Sequence, residues 1–282
     1  MDAIRTPLIV TLAGSRYAVE RNWWQEPAKF AKAMVSQVAV DGAGRVHAFR
    51  RGDPPVLVFE PDGSFAYGYG EGRIADAHGI YIDRDDRVFL ADRDAHEIIA
   101  CTPAGKELLR LGNRNSPKWE QPFNHPTDIA VAPDGEIYVS DGYGNARVHR
   151  FAPDGGYLGG WGELGTGRGQ FMTPHAVWVD VQNRVLVADR ENDRVQLFTR
   201  DGTSIEEWRG LCRPMDIFVD AAGVIYVTDQ VPSLTAFASD GRRLGRCRPS
   251  LNGAHGIFGD ANGNLFLAEI NPNYVTRMRL LQ

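Results

Sequence analysis

Three of the seven histidines in this 282-residue chain, His78, His175 and His255, stand five residues before a turn position; the equivalent place holds Ser36, Thr127 and Met215 in between. Histidine therefore occupies alternate copies of one repeated position. Three imidazoles brought together, with a fourth position left open, form the donor set of a catalytic zinc ion. Fifteen residues beyond the same register lie Arg51, Arg93, Gly142, Arg190, Gln230 and Ile270, with Tyr143 directly after the glycine. Guanidiniums at that end can hold a carboxylate through paired N–H donors, and a tyrosine hydroxyl can move a proton. One histidine before an apolar run would pass for a turn residue, so it is the alternation that argues for a shared metal. His47, His96, His125 and His149 fall off the register and are expected at the surface, in turns or in strand packing. Arg93 is expected to be a surface charge.

These residues can meet only if the repeats close into a ring. The turn position recurs at Asp41, Asp83, Ala132, Asp180, Asp220 and Asp260, in steps of 42, 49, 48, 40 and 40 residues. A short apolar run precedes each turn and a second follows it, as in Ala176 to Val179 and Arg184 to Ala188. Third runs, such as Arg147 to Phe151 and Arg194 to Phe198, and Gly-containing turns such as Pro153-Asp154-Gly155 lead to a fourth. Four strands per unit and six units predict an all-β, six-bladed β-propeller. Alternate blades of such a ring are a third of a turn apart, so three histidines at one height converge on the axis. Antiparallel pairing of the first two strands makes His175 and Arg190 neighbours. The last unit lacks a fourth strand, and Tyr17 to Glu20 is an orphan strand near the start. The orphan is expected to close the last blade and hide two strand edges. The whole chain, 1–282, is then expected to be a single propeller domain.

A formal charge of −5 offers no basic field for phosphate backbones or anionic membranes, so neither partner is expected. The three cysteines, Cys101, Cys212 and Cys247, are odd in number and widely spaced, which argues for a reducing compartment and a cytoplasmic location. The apolar stretch from Pro7 to Ala13 is short and lacks a clear cleavage site, so it is not read as a signal peptide. A monomer is expected.

The blades resemble the NHL repeat family in segments such as HGIYIDRDDRVFLADRDAHEII (His78 to Ile99) and PTDIAVAPDGEIYVSDGYGNARVHRF (Pro126 to Phe151). Within it, VSDGYGNARVHRFAPDGGYLGGWGE (Val139 to Glu163), PHAVWVDVQNRVLVADRENDRVQLF (Pro174 to Phe198) and FRRGDPP (Phe49 to Pro55) resemble the lyase domain of peptidyl-glycine alpha-amidating enzymes. Those zinc lyases split peptidyl-alpha-hydroxyglycine into a peptide amide and glyoxylate. The resemblance implies zinc on His78, His175 and His255, and Tyr143 as general base assisted by the cation of Arg51. It also implies that Arg190 grips the substrate carboxylate. The substrate would be a peptide or small-molecule alpha-hydroxy amide, N-acyl or ureido. The sequence departs from the family at three places. Gly144 replaces a cysteine, Gly253-Ala254 replaces a Met-Pro pair, and Gly256 replaces an aspartate that helps hold a structural calcium. Val35 and Ile80 remain to offer carbonyls to calcium. The copper monooxygenase domain that makes the hydroxylated substrate in bifunctional enzymes is not among these residues. Two other readings are a non-catalytic NHL interaction module and a calcium-dependent propeller lactonase. The lactonase would need Glu, Asn and Asp converging on the channel.

Overall fold

Asparagine and aspartate favour turns because their side chains bond the backbone ahead of them, and in a computed structural model of the chain the repeat is built on that bond. The structure describes residues 8–30 and 32–281. Asp41 Oδ1 accepts the N–H of Ala43 and of Arg45, and Asp83, Asp180, Asp220 and Asp260 repeat this on the residues two and four ahead. Each such turn joins the first and second strands of a blade. Among the described residues six antiparallel sheets result, five of four strands and one of five.

The innermost strands, in blade order, are Val35–Val40, Ala77–Ile82, Pro126–Val131, Pro174–Val179, Pro214–Val219 and Gly256–Gly259. The apolar core lies between neighbouring blades. Phe89, Ala91 and Ile98 of blade two, for instance, pack on Ile129, Val131 and Val139 of blade three. Ser15–Glu20 pairs with Tyr274–Leu281 and so closes the last blade from the N-terminal side, as expected. The sequence reading missed a fifth strand there, Leu8–Leu12, which pairs outside Ser15–Glu20 and contains most of the apolar stretch weighed above as a leader. Pro7 lies outside the described residues. Among the described residues no helix is long and apolar enough to cross a membrane.

Two local devices aim residues at the axis. The first five innermost strands each carry a register irregularity at or beside the repeated position, for example between Pro174 and Ala176 opposite Asp189 and Ala188. A bulge leaves its extra residue out of the ladder and re-aims it. Second, the carboxylates ending the second strands, Asp92, Asp141, Asp189, Asp229 and Glu269, are fully buried. They accept backbone N–H groups of the segment entering the innermost strand, such as Ala75 and Asp76 on Asp92 and Met172 on Asp189. The segments leading to the three histidines are thereby pinned.

Candidate metal centre

His78, His175 and His255 meet on the axis with all three ring centroids 4.9 Å apart. One ligand atom from each lies within 4.8 Å of the others. Each Nδ1 faces a backbone carbonyl of the following blade: His78 on Thr127 O at 2.7 Å, His175 on Met215 O at 2.6 Å, His255 on Ser36 O at 2.7 Å. A carbonyl can only accept, so each Nδ1 carries the proton and each Nε2 turns its lone pair inward. Burial holds His78 and His175 well below the ordinary imidazole value, helped by the neighbouring imidazoles; it brings His255 down to about 4, with the charges of Arg51 and Arg190 adding to the effect. The set is neutral at physiological pH. Three buried, unprotonated Nε2 atoms, each aimed inward by the carbonyl bonded to its Nδ1, fit a metal ion.

Tyr143 stands over this ring. Its hydroxyl is 3.2 Å from Nε2 of both His78 and His175, and Arg190 donates an N–H to it at 3.1 Å. The guanidiniums of Arg93 and Arg190 flank the phenol ring, 5.3 and 5.2 Å from its centroid. The loop bearing the tyrosine is pressed flat. A Cβ on Gly142 would lie 2.2 Å from Pro174 O, and one on Gly144 would lie 2.3 Å from the Asn124 side chain, so a cysteine at 144 would require Asn124 to move.

Two sequence expectations change here, and one residue of the site was missed. Arg93 is not a free surface charge: its side chain is 22% exposed, pairs with Asp76 and Asp94, and covers the tyrosine. The cation bonded to the phenol is Arg190, whereas Arg51 pairs with Asp76 at 2.8 Å and donates to Ala77 O. Asp76, which bridges Arg51 and Arg93, was missed, because a carboxylate two residues before His78 has no counterpart elsewhere in the repeat. The four histidines off the register stay out of the centre. His47 and His149 pack between an aspartate and a tyrosine, and His96 stacks edge-on against His125.

One residue deeper, the odd blades place Gln37, Asp128 and Asp216 beneath the imidazoles, and the even blades place Gly79, Ala176 and Gly256. The small residues make room: a Cβ on Gly256 would fall 1.8 Å from Gln37 Oε1, so an aspartate has no place after His255. Asp216 accepts from Gln37 Nε2 at 2.5 Å and from the N–H of Ile257 and Ile217. Burial drives both carboxyls up from the usual carboxylate value, and for Asp128 the charge of Asp216 adds to it. The fold therefore favours their protonated forms, while the unfolded chain ionises above about pH 4. Between those points the unfolded state binds fewer protons, so stability is lost as pH rises. The melting temperature of the wild type is expected to fall, relative to Asp216→Asn, as pH goes from about 4 to 7. Parallel curves for the two proteins would show that the pair titrates as it does in the unfolded chain.

Two residues deeper again, Tyr81, Trp178 and Phe258 close the channel, with centroids 5.4 to 6.3 Å apart. The three-histidine end is thus reached from one face only. The wide cavity of about 720 Å³ at the other end lies beyond this plug. Cys101, Cys212 and Cys247 are all free thiols.

A family model for the NHL repeat matches residues 123–151. Mouse peptidyl-glycine alpha-amidating monooxygenase is 34% identical over 201 residues, covering 59% of this chain and 20% of its own length. Peptidyl-alpha-hydroxyglycine alpha-amidating lyase 1 of Drosophila melanogaster is 34% identical over 156 residues, covering 51% of this chain and 29% of its own. The chain thus spans about a fifth to a third of these relatives. Among solved structures, a gluconolactonase from Xanthomonas campestris superposes with a TM-score of 0.70 at 17% identity, covering 99% of this chain and 96% of that one. That likeness is one of fold.

Proposed function

We propose, for a chain that is an NHL-repeat six-bladed β-propeller resembling the peptidyl-alpha-hydroxyglycine alpha-amidating lyases, that it is a zinc-dependent carbon–nitrogen lyase. Its substrate would be an N-acyl or ureido alpha-hydroxyglycine, cleaved to an amide and glyoxylate. The observation that carries this reading is the placing of one tyrosine hydroxyl 3.2 Å from two of three convergent, unprotonated imidazole nitrogens and 3.1 Å from an arginine. A zinc ion held by His78, His175 and His255 supplies Lewis acidity to a substrate oxygen and needs no proton to do so.

The protein's own groups account for the remaining steps. Tyr143, as general base, accepts the proton of the alpha-hydroxyl, whose C–O bond becomes the aldehyde of glyoxylate. The C–N electrons leave with the nitrogen, which takes that proton back and becomes the primary amide. Arg190 lies on the phenol oxygen, where the proton arrives. Arg51 and Arg93, tied to Asp76, form the opposite bank for the carboxylate, a group that guanidiniums recognise through paired N–H donors. Closure of the channel by Tyr81, Trp178 and Phe258 keeps bulk water from the rear. No calcium enters this scheme, because position 256 offers no carboxylate. The free thiols support the cytoplasm as the location.

The purified protein is expected to release glyoxylate from alpha-hydroxyhippurate or ureidoglycolate, to stop when stripped with a strong chelator, and to recover with zinc. Tight metal binding without glyoxylate from either compound would favour a metal-dependent hydrolase of the lactonase kind. Loss of both would leave the interaction module.

A further inference from the structure

Exposed apolar side chains scattered singly mean little, but here several surround one hollow beside Tyr143. Trp119 is 72% exposed, Leu164 69%, Met172 41% and Tyr143 itself 40%, and all four line a cavity of about 160 Å³ between blades three and four. A dry cavity of about 150 Å³ is enough to take a benzene-sized ring.

The hollow is built in advance. Buried Asn145 staples the loop carrying Trp119, donating to Lys118 O and Gln121 O and accepting from the N–H of Glu120, while its amide also reaches Asp141. The opposite wall is tied by the exchange of Phe171 N to Glu163 O at 2.8 Å and Gly165 N to Phe171 O at 3.0 Å. Between them three lining residues, Gly142, Gly144 and Gly162, carry no side chain, and a Cβ on Gly142 or Gly162 would meet backbone or an aromatic ring within 3 Å. The wall continues into the site, because Thr173, which lines the hollow, gives its carbonyl to the N–H of Arg190.

We infer that this groove is the subsite for the acyl part of the substrate, and that it selects an aromatic or bulky apolar acyl group on the amide nitrogen. The assignment rests on the lyase reading above for what lies at the hydroxyl end of Tyr143. That end is taken up by imidazoles and guanidiniums, which suit a hydroxyl and a carboxylate. The acyl group, joined through the nitrogen to the same carbon, must leave along the tyrosine ring, and the ring's outer edge is the groove. Charge points the same way. The groove carries the carboxylates Glu120 and Glu163 against the single guanidinium Arg147, whose two terminal nitrogens donate to Gly162 O and Gly160 O while its Nε has no partner among the described residues. A carboxylate is therefore turned away from the groove and towards the arginines, which gives the substrate one orientation.

Hippurate and N-acetylglycine keep the carboxylate and amide but lack the hydroxyl that reacts, so they report binding alone. Calorimetry on the protein as purified is expected to show hippurate binding at least about tenfold tighter than N-acetylglycine. That ratio is expected to collapse towards one in Trp119→Ala/Leu164→Ser, whose two side chains are too exposed to matter for folding. An unchanged ratio in the double variant, equal affinities in the wild type, or no hippurate binding at all overturns the subsite. Alpha-hydroxyhippurate separates the two readings. Selective hippurate binding without glyoxylate release keeps the groove and sinks the lyase; glyoxylate release with no aromatic preference does the reverse.

Discussion

Replacing any one of His78, His175 and His255 with alanine is expected to lower zinc affinity by more than about a hundredfold, because loss of even an outer partner of a ligand costs about 10–100-fold. Protein purified from each variant should carry little metal by mass spectrometry, and zinc should pass readily to a competing chelator. Stability should drop only modestly. Each substitution orphans one buried carbonyl, that of Thr127, Met215 or Ser36, at a cost of about 1–3 kcal/mol, while the apolar packing between blades is untouched. All three variants should lose metal, since the three rings stand at equal separations and each offers one nitrogen. Unchanged metal content in the three would place the metal elsewhere.

Tyr143→Phe is expected to abolish most of the turnover and leave the metal in place. The ring stays between Arg93 and Arg190, whose guanidiniums lie within 5.3 Å of its centroid, so the cation–π contacts and the bulk persist. Only the hydroxyl is lost. Removing a positioned general base costs about two to four orders of magnitude. The loss should fall on kcat more than on KM, as for an interaction made mainly in the transition state. Arg190→Ala is expected to lower kcat less steeply, through the lost N–H on the phenol oxygen. Glyoxylate release by Tyr143→Phe at the wild-type rate would remove the tyrosine from the chemistry and leave the lyase reading standing.

The architecture was legible because it rests on local chemistry. An aspartate that bonds the backbone two and four residues ahead marks every blade but the third, where Ala132 stands in that place. The triad was legible because the turn fixes a count of five residues back to the axis in every blade, and in the blades of His78 and His175 a bulge sits at that same place. Arg93 and Asp76 were not, since their meaning comes from Tyr143 on the next blade and Arg51 on the previous one. The layer of Gln37, Asp128 and Asp216 hides one position off the register, in the blades without histidine. Leu8–Leu12 has no turn aspartate to announce it, and Trp119 and Leu164 sit on connections between blades, where no repeat constrains them.

The hydrogen bond from His255 to the carbonyl of Ser36 spans 219 residues of sequence. It lies at the same seam that Ser15–Glu20 closes against Tyr274–Leu281. The third imidazole is therefore oriented only after the ends of the ring have joined, late in the life of a growing chain. A nascent or clipped polypeptide that has passed His175 but lacks His255 holds two of the three nitrogens and no carbonyl lock from blade one. The set of three convergent nitrogens is thus complete only once the two ends of the ring have met.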